Sequence, residues 1–245
     1  MARTARVLEN KGYLHVITRG NAQQIIFEDD QDYGYYLKLI REYASENNIT
    51  ICAYCLMTNH VHLLIHYEDK NVATFMHKVG ISYSNYFNKK YDRTGHVFQG
   101  RYKSEIIDNE QYFLTVNRYI LQNPVKAGLS KNVDYKWNSY DISAIQNSFV
   151  DTSLLIDILG GYDNYVRFMG KENDDVCMEG YSVIRNDEWA EEVMMEILGT
   201  KNGNYLVYCD KSKRDDAIRM LKDKGLSVRQ ISRLTGLGKG IVQKA

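Results

Sequence analysis

Apolar and polar positions follow two different periods along the first 145 residues. From Tyr13 to Thr18 they alternate, and the chain then turns at Gly20-Asn21, which predicts a first strand. Between Asp29 and Asn47, Tyr33, Tyr36, Leu37, Ile40 and Tyr43 recur at helical spacing, with Asp30 or Asp32 placed to cap the helix. Residues 49–66, ITICAYCLMTNHVHLLIH, are rich in apolar and β-branched side chains and lack Gly and Pro. They predict a buried strand, interrupted at Thr58-Asn59 and resuming at His60. Val72, Phe75, Met76, Val79, Tyr83, Tyr86 and Phe87 predict a second amphipathic helix over 72–91, weakened at Gly80. A loop and strand over 95–108 come next, then a third helix over 110–123, stopped by Pro124, the only proline. Strands separated by helices in so short a span predict an α+β sandwich, an antiparallel sheet with helices on one face.

Beyond residue 145 the pattern changes. Residues 146–210 open with a helical stretch, TSLLIDILGGYDNYVRFM, and continue as an acidic segment read as a helical connector. Residues 211–245 contain two helical patterns around a Gly-containing turn. Ser227 is placed as a cap, and Val228, Ile231, Leu234, Leu237 and Val242 fall at the interior positions of a helix-turn-helix. Three segments are therefore expected: 1–145, 146–210 and 211–245.

Charge supports the same division. The chain of 245 residues has 31 Lys+Arg and 31 Asp+Glu, but residues 146–210 carry 4 against 13 and residues 211–245 carry 10 against 3. A basic C-terminal module suggests contact with nucleic acid. No apolar run is long enough to span a bilayer, and MARTARVLENKGYLHV lacks the apolar core of a signal peptide, so a cytoplasmic location without membrane association is expected. Cys52 and Cys55 form a C-x-x-C, but no second close pair follows, and a spacing of three places them on opposite faces of a strand. They read as buried thiols.

Chemistry concentrates in three places. His60 and His62 lie one strand step apart on one face, where two imidazoles can share a metal ion; His66 has the same parity. Tyr119 and Asn123, four apart, share a helix face, with Asn123 at the expected helix end. Residues 78–103 bring Lys78, Lys89, Lys90, Arg93, Arg101 and Lys103 among Tyr83, Tyr86, Phe87, Tyr91, Phe98 and Tyr102. Cations interleaved with aromatic rings suit single-stranded nucleic acid. Arg19, and Arg229, Arg233 and Lys239 in the C-terminal module, extend the list of DNA-binding candidates.

With these residues in place, the chain resembles the single-tyrosine HUH transposases, in particular the REP-associated tyrosine transposase branch. The resemblance rests on HVITRGN (15–21), YCLMTNHVHLLI (54–65), YDRTGHVFQGRYKS (91–104), RYILQNPVKAGL (118–129) and WNSY (137–140), five blocks in order. One departure is Thr58, where the family usually has Pro. The resemblance implies a ferredoxin-like (RRM-like) catalytic domain, a divalent metal held by His60 and His62, and Tyr119 as nucleophile. Asn123 falls where related transposases carry an amide ligand one helical turn after the tyrosine. The implied partner is single-stranded, hairpin-forming DNA, with the protein acting as a monomer or homodimer. The helix-turn-helix lies outside the resemblance.

The chemistry can be argued without the family. A phenol with a pKa of about 10 is a weak nucleophile at neutral pH. Two imidazoles and an amide leave open positions on a metal ion such as Mg²⁺ or Mn²⁺, which would polarise a phosphodiester. Attack by the tyrosine would give a 5′-phosphotyrosyl link and a free 3′-hydroxyl able to reverse the step. Two other readings remain open from sequence: an HUH nicking endonuclease of the replication-initiator or relaxase kind, and a DNA- or RNA-binding protein derived from a transposase. Tyr112, seven residues before Tyr119 and on nearly the same helix face, competes with it as nucleophile.

Overall fold

We describe the protein from a computed structural model, which covers residues 9–141, 149–172, 175, 177 and 187–245. The expected boundary at 145/146 lies outside these residues. The chain forms two compact units, 1–184 and 185–245.

The first unit is built on a four-stranded antiparallel sheet in the order β2-β3-β1-β4. Its elements run β1 (Lys11–Arg19), α1 (Asp30–Glu46), β2 (Ile49–Met57), β3 (His60–Glu68), α2 (Val72–Lys90), β4 (Lys103–Ile107) and α3 (Glu110–Lys126). Up to β4 this is the ferredoxin-like order. The stretch expected as one interrupted strand is a hairpin. Met57 pairs with His60, and the chain reverses at Thr58-Asn59. These two turn residues are buried, and their carbonyls are occupied: Thr58 accepts from Ile26 and Phe27 N–H, and Asn59 from Gly20 N–H. Gly20 is required there by close approach, because a Cβ would lie 2.2 Å from the Gln24 carbonyl oxygen.

Helices α1 and α2 cover one face of the sheet. Asp29, one residue before the expected caps, closes a capping box with Asp32. The apolar stripes of both helices bury Tyr33, Tyr36, Ile40, Phe75, Val79, Tyr83 and Phe87 against Leu14, Val16, Val61, Leu63 and Ile65. Helix α2 runs unbroken through Gly80. Helix α3 lies on the opposite face and packs Phe113, Val116, Ile120 and Leu121 on Ala53, Cys55, Met57 and Leu64. The sheet is therefore covered on both sides, where one was expected. Each fully buried Leu, Ile or Phe contributes about 1.5–3 kcal/mol.

Two further sequence expectations fail locally. Helix α3 does not stop at Asn123 but continues through Pro124 to Lys126. So near the end, the proline removes one intrahelical bond, and Ala127 N–H to Asn123 and Leu129 N–H to Pro124 close the terminus. The irregularity between Ile51 and Ala53 in β2 inserts a residue into the register, so Cys52 and Cys55 share the α3-side core although their spacing placed them on opposite faces. Both thiols are free, and burial pushes Cys52 up to about 12.

The stretch read as an acidic connector is divided between the two units. In the first unit it supplies α4 (Ser153–Leu159) and α5 (Tyr162–Met169), two helices broken at Gly160-Gly161, where one had been expected. Leu155, Tyr165 and Met169 join the α3-side core. Segments 137–139 and 150–151 run along the free edge of β2: Leu56 N–H donates to Trp137, Ser139 N–H to Tyr54 and Asp151 N–H to Ile51. The WNSY block thus covers an exposed strand edge.

The second unit holds α6 (Asp187–Leu198), α7 (Lys211–Asp223), α8 (Val228–Thr235) and α9 (Lys239–Lys244). Ala190, Val193 and Met194 of α6 share one core with Ile218, Leu221, Ile231, Leu237 and Val242. Ser227 and Gln230 form a capping box on α8, which ends at Gly236 in the left-handed region (φ 70°). Helices form over both stretches expected to carry the helix-turn-helix. Because α6 is acidic, residues 187–245 carry 11 Lys+Arg against 9 Asp+Glu, and Arg233 and Lys224 pair with Asp187 and Glu196. Among the described residues, no helix is long and apolar enough to cross a membrane.

Candidate functional site

The His60–His62 pair lies on the α3 face of the sheet, not on an open face. Antiparallel partners point the same way, so the register puts Arg19 opposite His60 and Ile17 opposite His62, with His15 one step further along β1. His15, His60 and His62 are all fully buried. The rings of His60 and His62 are 5.0 Å apart, and His15 Nε2 is 3.0 Å from His62 Nδ1. His66 is at the far end of β3, against the Tyr13 ring, and takes no part.

Helix α3 brings Tyr119 and Asn123 over these rings. The Tyr119 ring stands edge-on to both His62 and His15, at 5.8 and 6.0 Å. One turn later the Asn123 amide is 3.4 Å from His62 Nε2. The neighbouring amide, Gln122, is turned away and donates to the Met169 and Lys171 carbonyls. Arg118 also turns outward, into a two-bonded ion pair with Asp175. Tyr112 is drawn aside: its hydroxyl donates to Glu105 at 2.5 Å, and burial together with that carboxylate raises its pKa. The structure therefore sets Tyr119, and not Tyr112, against the imidazoles.

The electrostatics favour neutral rings. Burial holds His15 down to about 3, and burial with nearby Arg19 does the same to His60. His62 is depressed further by burial and by its two histidine neighbours. Neutral imidazole is the form that binds metals. His60 Nδ1 is 2.8 Å from Asn59 Oδ1, while His60 Nε2 is buried without a hydrogen-bond partner. An orphaned imidazole nitrogen beside a second imidazole and an amide fits a divalent ion with mixed nitrogen and oxygen ligands.

The basic candidates separate. Lys90 is bound to Asp29 and to the buried Asp32, which also accepts from the Tyr86 and Tyr91 hydroxyls. Lys78 pairs with Glu46, and Arg93 lies on Gln24 and the Phe87 ring. Tyr83 and Phe87 are core residues, and Tyr86 stacks on Tyr35, so these rings are no platform for bases. Lys89 and Arg101 are exposed, as are Arg229 and Lys239 in the second unit. Lys103 is exposed on β4, opposite Ile17 of the histidine face. On the α2 side a groove of about 1020 Å³ is lined by Lys70, His77, His96 and Arg101, with Phe98 and Tyr102, and, among the described residues, by no carboxylate. Reading the sequence had missed His15, Asn59 and this groove. His15 could have been found from its parity with Tyr13 and Ile17 on a strand beside the His-x-His strand.

Residues 9–123 match the family described as IS200-like transposases. That match takes in the four strands of the sheet, both strand histidines and Tyr119. The chain is similar in fold to a REP-associated tyrosine transposase solved bound to a REP hairpin. The TM-score is 0.52 at 14% identity, over 76% of this chain and 98% of that one. A candidate transposase from Deinococcus radiodurans R1 is 17% identical over 49% of this chain and 95% of its own, with a TM-score of 0.35. No curated protein matches the chain.

Proposed function

We propose that this transposase cleaves and rejoins single-stranded, hairpin-containing DNA through a 5′-phosphotyrosine on Tyr119, and that it belongs to the REP-associated branch. The observation that carries the reading is the Tyr119 ring set edge-on to His62, with Asn123 one turn on at the same imidazole. His60, His62 and Asn123 would hold a divalent ion, Mg²⁺ or Mn²⁺. When bound, it would supply Lewis acidity to the scissile phosphate and neutralise developing charge.

The chain's own residues do the rest. The phenolic oxygen of Tyr119 bonds to phosphorus as the bond from phosphorus to the 3′ oxygen breaks. The phenol gives up its proton, and the departing 3′ oxygen gains one. The product holds the 5′ phosphate on the tyrosine, and attack by a 3′-hydroxyl restores a phosphodiester without an external energy source. Lys126, 5.5 Å from the Tyr119 ring, steadies it. Lys70, Arg101 and Lys103 hold the DNA backbone, and Arg229 and Lys239 on α8–α9 add contacts as a helix-turn-helix.

The test is incubation of the full chain with labelled single-stranded hairpin DNA and Mn²⁺ or Mg²⁺. A covalent protein–DNA band that needs the metal and Tyr119 supports the proposal. Cleavage with no covalent species would exclude it.

A further inference from the structure

The hydrogen bonds of the two strand histidines carry information about which ring nitrogen holds the proton. Asn59 faces two groups. Its Nδ2 donates to the Gln23 carbonyl at 3.4 Å, and only an NH₂ can face a carbonyl, so its Oδ1 is the atom turned to His60. An amide oxygen only accepts. His60 therefore has its proton on Nδ1 and a lone pair on Nε2, the atom that is buried with no partner.

His62 has no such amide behind it. Its Nδ1 meets an imidazole, His15 Nε2, and one proton lies between them. If His15 holds that proton, His62 carries its own on Nε2 and offers no lone pair toward Asn123. If His62 holds it on Nδ1, His15 accepts, and His62 Nε2 is a lone pair, as it is for His60. His15 then has its own proton on Nδ1, a buried atom without a partner. That nitrogen is unpaired in either arrangement, so the choice falls to the group facing His62 Nε2.

We propose that His15 and Asn59 are positioning residues that hold His62 and His60 in one shared tautomer, proton on Nδ1 and lone pair on Nε2. The Asn123 Nδ2 amide, 3.4 Å from His62 Nε2, meets a lone pair only in this tautomer. Partners behind metal-binding histidines commonly set tautomer and ring orientation. Here one partner is an amide from the hairpin turn and the other is an imidazole from the neighbouring strand. The consequence for metal binding rests on the reading above, but the tautomers belong to the metal-free protein.

Long-range ¹H–¹⁵N NMR of the metal-free full chain reads the tautomers directly. Both His60 and His62 are expected with the proton on Nδ1. His15→Leu should move the His62 proton to Nε2 and leave His60 unchanged, and calorimetric affinity for Mn²⁺ should fall on the order of 10–100-fold. His15→Gln, which keeps an acceptor near the Nε2 position, should restore both. Asn59→Asp should keep His60 as it is, and Asn59→Leu should not. A wild-type His62 protonated on Nε2 overturns the inference, whether or not the variants fold. So does a His62 tautomer that His15→Leu does not move. Wild-type tautomers as stated, in a chain that binds no Mn²⁺, would uphold the role of His15 and Asn59 and remove the metal reading instead.

Discussion

The two faces of the sheet bury polar groups in opposite ways. On the α1–α2 face the buried Asp32 carboxylate accepts from Glu28 N–H, the Tyr86 and Tyr91 hydroxyls and the Lys90 ammonium. A buried charge with that many donors is a fastening between α1 and α2. On the α3 face, three fully buried histidines share few partners, and His15 Nδ1 and His60 Nε2 have none. Burial is equal on the two sides, but hydrogen-bond satisfaction is not. The difference separates a group whose donors fasten two helices from one whose ring nitrogens are left unpartnered, as the proposed metal site requires.

The sharpest way to break this contrast is at the tyrosines. Tyr119→Phe removes one hydroxyl and keeps the ring between His62 and Lys126, so folding and DNA binding should persist. Cleavage should fall on the order of 10⁴-fold or more, as for loss of a nucleophile. Tyr112→Phe should keep cleavage, since that hydroxyl is bound to Glu105. Mass spectrometry of the cross-linked tryptic peptides separates the two, because cleavage after Arg118 puts them on different peptides. An adduct on the Tyr112 peptide would reverse the assignment.

Next in size is a stability effect on the other face. Asp32→Ala leaves Glu28 N–H and two tyrosine hydroxyls without their acceptor and Lys90 with Asp29 alone, and should cost about 3–5 kcal/mol. Urea denaturation measures it. If the loss is under about 1 kcal/mol, the network is not a fastening and the two faces are less different than their hydrogen bonds imply.

How far the sequence discloses this arrangement depends on the range of the forces involved. Strands β1 and β4 and helices α1 to α3 were legible because a buried stripe repeats locally, as in Val72, Phe75, Met76 and Val79. The hairpin at Thr58-Asn59 was not, because it has no Gly or Pro; its backbone groups are satisfied by residues 20–27, far off in sequence. The aromatic residues of 83–91 were misread for a similar reason. Their helical spacing suits a stacking platform or a core equally, and Asp32, on another helix, is what several of them pack around. The candidate site was legible as His60, His62, Tyr119 and Asn123, since parity and helical spacing place each pair. His15 acts through a cross-strand contact that spacing within one strand does not reveal.

A pH titration sharpens the contrast further. An ordinary histidine titrates near 6.5, and His15 and His60 are held down to about 3 in the folded chain. The unfolded chain therefore takes up these protons first as the pH falls. The stability linked to each neutral ring is present in full above 6.5 and is lost between 6.5 and 3, up to about 2 kcal/mol per histidine by pH 5. The midpoint of urea unfolding should be lower at pH 5 than at pH 7, and His60→Gln should fall less steeply than wild type. Equal slopes would mean that the buried rings are already protonated or in reach of water.

The smallest effect concerns the cations, where the same distinction between engaged and open groups applies. Lys90 is bound to two carboxylates, so moving it onto a phosphate would leave the buried Asp32 without its counter-charge. Arg101 lines a groove that holds no carboxylate among the described residues. Each phosphate contact to a single strand contributes about 0.7 to the slope of log affinity against log salt. Arg101→Gln should lower that slope by about this amount, with a modest loss of affinity. Lys103→Gln should do the same if the strand passes from the groove to the histidine face over β4. Lys90→Gln should destabilise the fold and leave the slope unchanged in protein that remains folded. Affinity for single-stranded DNA measured at a series of salt concentrations decides between them. A reduced slope for Lys90→Gln, with none for Arg101→Gln, would place the DNA away from the groove and on the outer end of α2.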